Sequence, residues 1–165
     1  MPQIVIGVMG PGERASDTDR MRAEALGERI AEKGWVTLSG GRSVGVMDAA
    51  LSGARRRNGL TIGVLPGTTA AHASPHAEIR IVTGMGEGRN LVNVLSSDVV
   101  CVCGMSAGTA SEVALALKLG RPTILIAPDA ESEQFWSSLD CACLHGVRSP
   151  EEAIELIERI IANRA

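Results

Sequence analysis

The chain has 165 residues, a formal net charge of −3, 45% hydrophobic residues and only 2% aromatic residues. That length suits one domain, and its core must be aliphatic. The acidic balance and the lack of aromatic platforms count against duplex DNA binding and against single-strand binding by base stacking, so no nucleic-acid partner is expected.

Strand-like and helix-like segments alternate from end to end. Residues 4–9 form an apolar run that reads as a buried parallel strand, and 17–32 carry Met21, Ala25, Leu26 and Ile30 on one helical face. Residues 35–39 read as a second strand and 44–57 as a second helix, with Val46, Met47, Ala50, Leu51 and Ala54 at helical spacing. Strands follow at 60–65 and 78–82, then a helix at 89–97 and a strand at 99–103. A helix at 109–119 stops at Gly120, a strand covers 123–126, and a short helix spans 131–138. Residues 141–144 form a weak strand candidate. The last helix opens at Ser149-Pro150-Glu151-Glu152, with an N-cap, a first-turn proline and a capping-box glutamate. Its stripe is Ala153, Leu156, Ile157, Ile160 and Ile161. Such βα alternation predicts an α/β, Rossmann-like, doubly wound and mostly parallel sheet with helices on both faces, in a single domain spanning the chain.

In such sheets ligands bind beyond the carboxyl ends of the strands. Three strand ends here run into glycine-rich turns that open helices: Gly10-Pro11-Gly12, Gly40-Gly41-Arg42-Ser43, and Gly104-Met105-Ser106-Ala107-Gly108-Thr109. Glycine lets backbone approach a ligand, and a helix N-terminus offers free N–H groups to an anion. A phosphate cradle is therefore expected from Gly10, Gly40, Gly41, Arg42, Ser43, Ser106, Gly108 and Thr109. Arg89 and Asn90, at the start of another helix, add a guanidinium suited to bidentate anion contact and a neighbouring amide. The chain lacks a P-loop, a G-x-G-x-x-G first turn and an acidic residue at the end of its second strand, which disfavours both NTPases and dinucleotide oxidoreductases. Glu112 has two readings: it lies three residues after Thr109, the spacing of a capping box, or it is a functional carboxylate.

Other features read blandly. Arg55, Arg56 and Arg57 are a solvated helix end. His72 and His76 share a loop with Pro75, which leaves no helical metal geometry and no metal site expected. That loop, 66–77, is a surface element that can act as a lid or an interface. The pairs Cys101/Cys103 and Cys141/Cys143 read as buried structural thiols, with a four-sulfur metal site or a redox role as the alternative. The start has no basic, extended apolar leader and no run approaches a membrane span, so a cytoplasmic protein without membrane contact is expected.

Three stretches carry a family resemblance: SGGRSVGVMDAA from Ser39, TGMGEGRN followed by LVNVLSSDVVCV from Thr83, and GMSAGTASEVALALKLGRP from Gly104. The chain resembles the LONELY GUY-like proteins, long mislabelled lysine decarboxylases, and within them the molybdenum cofactor carrier branch. Gly40, Gly41, Gly45 and Met47 match the glycine-rich turn, with Arg42 in place of a glycine. Gly108, Thr109 and Glu112 match the P-G-G-x-G-T-x-x-E signature, with Gly104, Met105 and Ser106 in place of its first three residues.

The resemblance implies a homo-oligomeric carrier or store of molybdenum cofactor (molybdopterin), serving a molybdoenzyme or a cofactor-synthesis enzyme. The metal would arrive inside the pterin. The alternative it implies is a nucleoside 5′-monophosphate phosphoribohydrolase, releasing base and ribose 5-phosphate. There Arg89 would fix the substrate, and Glu112 would stabilise positive charge on the ribose and help water attack. Gly88-Arg89-Asn90 departs from the hydrolases' M-H-x-R-K, and the lost Pro-Gly-Gly alters the phosphate loop; both changes suit a protein that binds without cleaving. Lysine decarboxylation is disfavoured, because Lys33 and Lys118 are the only lysines and neither sits in a pyridoxal-phosphate motif.

Overall fold

A computed structural model describes residues 2–139 and 141–163. Seven strands form one parallel sheet: β1 (Val5–Met9), β2 (Val36–Ser39), β3 (Thr61–Leu65), β4 (Ile79–Val82), β5 (Val99–Cys103), β6 (Thr123–Ile126) and β7 (Leu144–Val147), in the order β4-β3-β2-β1-β5-β6-β7. The six helices are α1 (Asp17–Glu32), α2 (Gly45–Arg56), α3 (Arg89–Leu95), α4 (Ala107–Lys118), α5 (Ala130–Ser137) and α6 (Pro150–Ala162). Strand order reverses between β1 and β5, and that reversal opens the crevice where doubly wound sheets take their ligands. The expected Rossmann-like fold is therefore the observed one.

Period-two alternation divides the core into two layers. Ile6, Val8, Val99, Cys101, Cys103, Ile124 and Ile126 point to one face, where they pack with Ala23, Leu26 and Ile30 of α1, Val46 and Ala50 of α2, and Ala153, Ile154 and Ile157 of α6. Met9, Leu38, Val64, Val100, Val102 and Leu125 point to the other, against Val94 of α3, Val113 and Ala116 of α4, and Trp136 of α5. In α6 the Ser149 hydroxyl accepts from the Glu152 N–H at 3.2 Å, as the sequence predicts, but the Glu152 carboxylate reaches one residue further back, to the Arg148 N–H at 2.8 Å. Leu156, Ile160 and Ile161 of the predicted stripe are only partly buried.

Helices α1 and α2 meet backbone to backbone. A Cβ on Gly27 would overlap the Ala50 carbonyl oxygen and lie 3.0 Å from the Ala54 nitrogen; a Cβ on Gly53 would overlap the Glu24 carbonyl oxygen. Alanine normally favours a helix over glycine by about 1 kcal/mol. Here overpacking against rigid backbone outweighs that gain. Gly53→Ala is expected to destabilise by about 2 kcal/mol net, read as a fall in Tm of roughly 4–8 °C.

Several boundaries differ from expectation. The seventh strand is Leu144–Val147, not 141–144, because Thr123–Ile126 pairs with Leu144–Val147 and the C-x-C segment only leads into it. Helix α4 begins at Ala107, two residues before the expected start. Strand β4 is exposed along its whole length at the sheet edge. The 66–77 loop is pinned: the Ser74 N–H donates to the Gly41 carbonyl at 2.8 Å, and its hydroxyl donates to Asp48 Oδ1 at 2.6 Å. No helix among the described residues is long and apolar enough to cross a membrane.

Candidate functional site

A cleft of about 140 Å³ opens at the carboxyl ends of the strands and gathers Gly10, Gly40, Arg42, Arg89, Asn90, Ser106, Gly108, Thr109 and Glu112. Nine of the predicted residues thus converge from four separate segments. The volume suits a phosphate and its adjoining atoms better than an entire drug-sized molecule.

Only one of the three glycine turns leaves a helix N-terminus open to this cleft. In α4, Ser106 is the N-cap: its hydroxyl accepts from the Thr109 N–H at 3.3 Å and shares a second hydrogen bond with the Thr109 hydroxyl at 2.9 Å. Among the described residues, the N–H groups of Ala107 and Gly108 have no hydrogen-bond partner. A Cβ on Gly108 would meet nothing within 4 Å. The bare backbone therefore borders open space, as close approach by an anion requires. Helix α2 differs. Its Val46 N–H donates to the Pro11 carbonyl at 3.0 Å, so the first glycine turn plugs the N-terminus of the second helix.

Gly41 and Ser43 fall outside the cleft, against expectation. Gly41 takes a φ of +76° and passes against the backbone of Gly63 and Val64, 2.8–2.9 Å from a would-be Cβ, so its role is strand packing. The Ser43 N–H donates to the His72 carbonyl at 3.0 Å, tying down the 66–77 loop.

Arg89 is anchored through Nη1, which donates to the carbonyl oxygens of Gly40 and, at 2.8 Å, Val64 at the ends of β2 and β3. Its Nε is buried without a partner. Burial lowers the Arg89 pKa and the nearby Glu112 charge raises it, but a guanidinium stays protonated throughout. Gly40 is needed where it stands, since a Cβ there would overlap Arg89 and sit 2.6 Å from the Met47 sulfur. Asn90 donates through Nδ2 to the Ser111 hydroxyl at 2.9 Å.

Glu112 is not a cap. The helix starts earlier than the capping-box reading requires, and Glu112 Oε1 instead accepts from Asn93 Nδ2 of α3 at 3.0 Å. The carboxyl is buried at 7% relative exposure. Burial pushes its pKa up to about 7, with the Asn93 hydrogen bond and the Arg89 charge pulling the other way. Asn93 Oδ1 is, like Arg89 Nε, a buried polar atom without a partner, a pattern typical of sites that await water or a ligand.

Gly12, Glu13, Met47 and Glu87 also line the cleft and were not expected there. Glu13 pairs with the half-exposed Arg42. Glu87 stands two residues before Arg89 inside the glycine-rich stretch. Asn93, three residues after Asn90 on the same helical face and buried with it, is the legible sign that α3 presents polar groups to a neighbour.

Residues 3–154 match the SLOG cluster4 family. The chain belongs to that family. Among solved structures, the molybdenum cofactor binding protein of the phototrophic bacterium Rippkaea orientalis is 51% identical, with 98% of this chain and 99% of that one covered and a TM-score of 0.96. The molybdenum cofactor carrier protein of Chlamydomonas reinhardtii is 43% identical over 98% of this chain and 99% of its own, with a TM-score of 0.92. An uncharacterized protein of Archaeoglobus fulgidus is 38% identical over 154 residues, covering 93% of this chain and 94% of that protein. The SLOG cluster4 match and these structures agree with the superfamily and branch read from the glycine-rich stretches.

Proposed function

We propose that this protein is a molybdenum cofactor carrier that takes the pterin's phosphate at the N-terminus of α4 and releases the cofactor unchanged. The observation that carries the reading is 51% identity over nearly the whole chain to a protein described as binding molybdenum cofactor. The residues fit such a cargo. The free N–H groups of Ala107 and Gly108 supply the anion cradle, with Ser106 and Thr109 shaping it. Gly10 and Gly40 keep the opposite wall low. Arg89 and Arg42 supply positive charge, and the unpartnered Nε marks hydrogen-bonding capacity that the protein leaves unused. Delivery to a molybdoenzyme or a cofactor-synthesis enzyme, from a cytoplasmic homo-oligomer, belongs to the same reading.

Arg42 reaches the cleft from a half-exposed position, where its guanidinium pairs with Glu13. Exposed ion pairs add little to stability. Arg42→Ala is therefore expected to weaken cofactor binding roughly tenfold, the loss of one charge-assisted contact, while Tm moves by less than about 2 °C. A titration and a thermal melt of the same preparation check both halves.

Arg89 and Glu112 do share the cleft, which is the observation in favour of hydrolysis. Against it, the relatives at 43–51% identity are described as cofactor-binding or carrier proteins. The test is ribose 5-phosphate release from AMP and N6-substituted AMP, with Glu112→Ala and Arg89→Ala alongside. The carrier reading expects none from folded wild-type protein. Turnover lost in both variants would make this a phosphoribohydrolase instead.

A further inference from the structure

The second C-x-C pair lines no part of the phosphate cleft and has its own chemistry. Cys141 and Cys143 are joined in a disulfide, with Cα atoms 5.3 Å apart and one residue between them. Both are half-buried, which corrects the expectation of buried thiols, whereas Cys101 and Cys103 on β5 are free and fully buried. A disulfide stabilises a fold chiefly by closing a long loop, and one spanning a single intervening residue closes almost none.

The backbone here does not depend on the bond either. The Cys143 carbonyl accepts from the Thr123 N–H at 2.8 Å, and the Cys141 carbonyl accepts from the Leu144 N–H at 3.1 Å. Both sulfurs also lie within reach of the Leu117 carbonyl, at 3.9 and 4.0 Å, so either thiol has an acceptor waiting when the bond is open. The fold thus accommodates the oxidised and the reduced pair with little change. Solvent access of this partial kind makes a disulfide more labile than a buried one.

A surface cleft of about 450 Å³ lies beside the pair, bordered by Glu133, Ser137, Cys141 and His145. It reaches Cys141 and not Cys143. We propose that Cys141 and Cys143 are a reversible dithiol–disulfide couple that exchanges with a small thiol of the glutathione class entering by this cleft. The incoming thiolate attacks the Cys141 sulfur, breaking the Cys141–Cys143 bond and forming a mixed disulfide on Cys141. Cys143 leaves as thiolate, takes a proton from solvent and donates to the Leu117 carbonyl. A second thiolate then attacks the small-molecule sulfur of the mixed disulfide. One disulfide dimer of the small thiol departs, carrying the two-electron oxidation, and Cys141 becomes a thiol.

Full-length protein equilibrated in mixtures of glutathione and glutathione disulfide tests this, read by maleimide labelling of the folded protein and mass spectrometry. Burial pushes the Cys103 thiol up to about 12 and the Cys101 thiol higher still, so neither labels in the folded state. The expected result is a switch between zero and two labels as the mixture becomes more reducing, with circular dichroism unchanged. Cys143→Ser should accumulate one glutathione on Cys141, and Cys141→Ser should react at least about tenfold more slowly at Cys143. The proposal is overturned if two labels persist in every mixture, if the disulfide resists reduction until the protein unfolds, or if both variants take up glutathione equally fast.

Discussion

Gly108→Asp is expected to abolish ligand binding while leaving the fold as stable as before or slightly more so. A Cβ at this position meets nothing, so the substitution needs no repacking. A carboxylate in the first turn of α4 complements the helix dipole by about 0.3–1 kcal/mol, and replacing glycine in a helix adds a few tenths. The same carboxylate would stand where the proposed phosphate site lies. Juxtaposed like charges cost several kcal/mol, so affinity should fall at least roughly 100-fold. Gly108→Asn separates charge from bulk, because it adds the same volume without the anion. It should lose only about tenfold. Thermal melts and ligand titrations of the three proteins decide the matter. Equal losses for Asp and Asn would mean that volume alone governs the site, and retained binding in Gly108→Asp would remove α4 from it.

The second large effect is a pH dependence centred on Glu112. Its pKa is about 7 in the folded protein and 4.5 as the reference value. Between those values the folded chain holds a proton that the unfolded chain has released, so stability falls as pH rises through that window. The contribution is fully present below about pH 4.5 and gone above about pH 7. Glu112→Gln cannot ionise and keeps an acceptor for Asn93 Nδ2. Relative to wild type it should gain up to about 3 kcal/mol at pH 8 and nothing at pH 4. Denaturant melts of both proteins across that range would show the difference opening with pH; a constant difference would place the Glu112 carboxyl in an ordinary environment. The same variant should bind an anionic cargo more tightly at pH 8, because a negative charge leaves the cleft. A hydrolase that needs the carboxylate would lose its activity instead.

Much of this architecture was legible from periodicity. Buried parallel strands have continuous apolar runs, and the helices announce themselves through caps such as Ser149 and through stripes such as Ile157. What failed were features decided by contacts distant in sequence. The need for glycine at 27 and 53 shows only in the α1–α2 contact, where no side chain fits at Gly27 or Gly53. The Cys141–Leu144 alternation looked strand-like, yet pairing with β6 starts only at Leu144.

At the site, glycine next to a helix start was the readable signal, and one cleft gathers Gly10, Gly40, Gly108 and Arg89. Gly41 and Ser43 lie outside that cleft, since turn glycines serve close strand packing as well as ligands. The two readings of Glu112 were separable only by seeing Asn93 across the α3–α4 interface.

The most direct test of the account is a titration of the purified protein with molybdenum cofactor, following cofactor bound per chain. Saturable binding at one cofactor per chain, lost in Gly108→Asp, is the expected result. Failure of the folded wild-type protein to bind, or equal binding by Gly108→Asp, would contradict it.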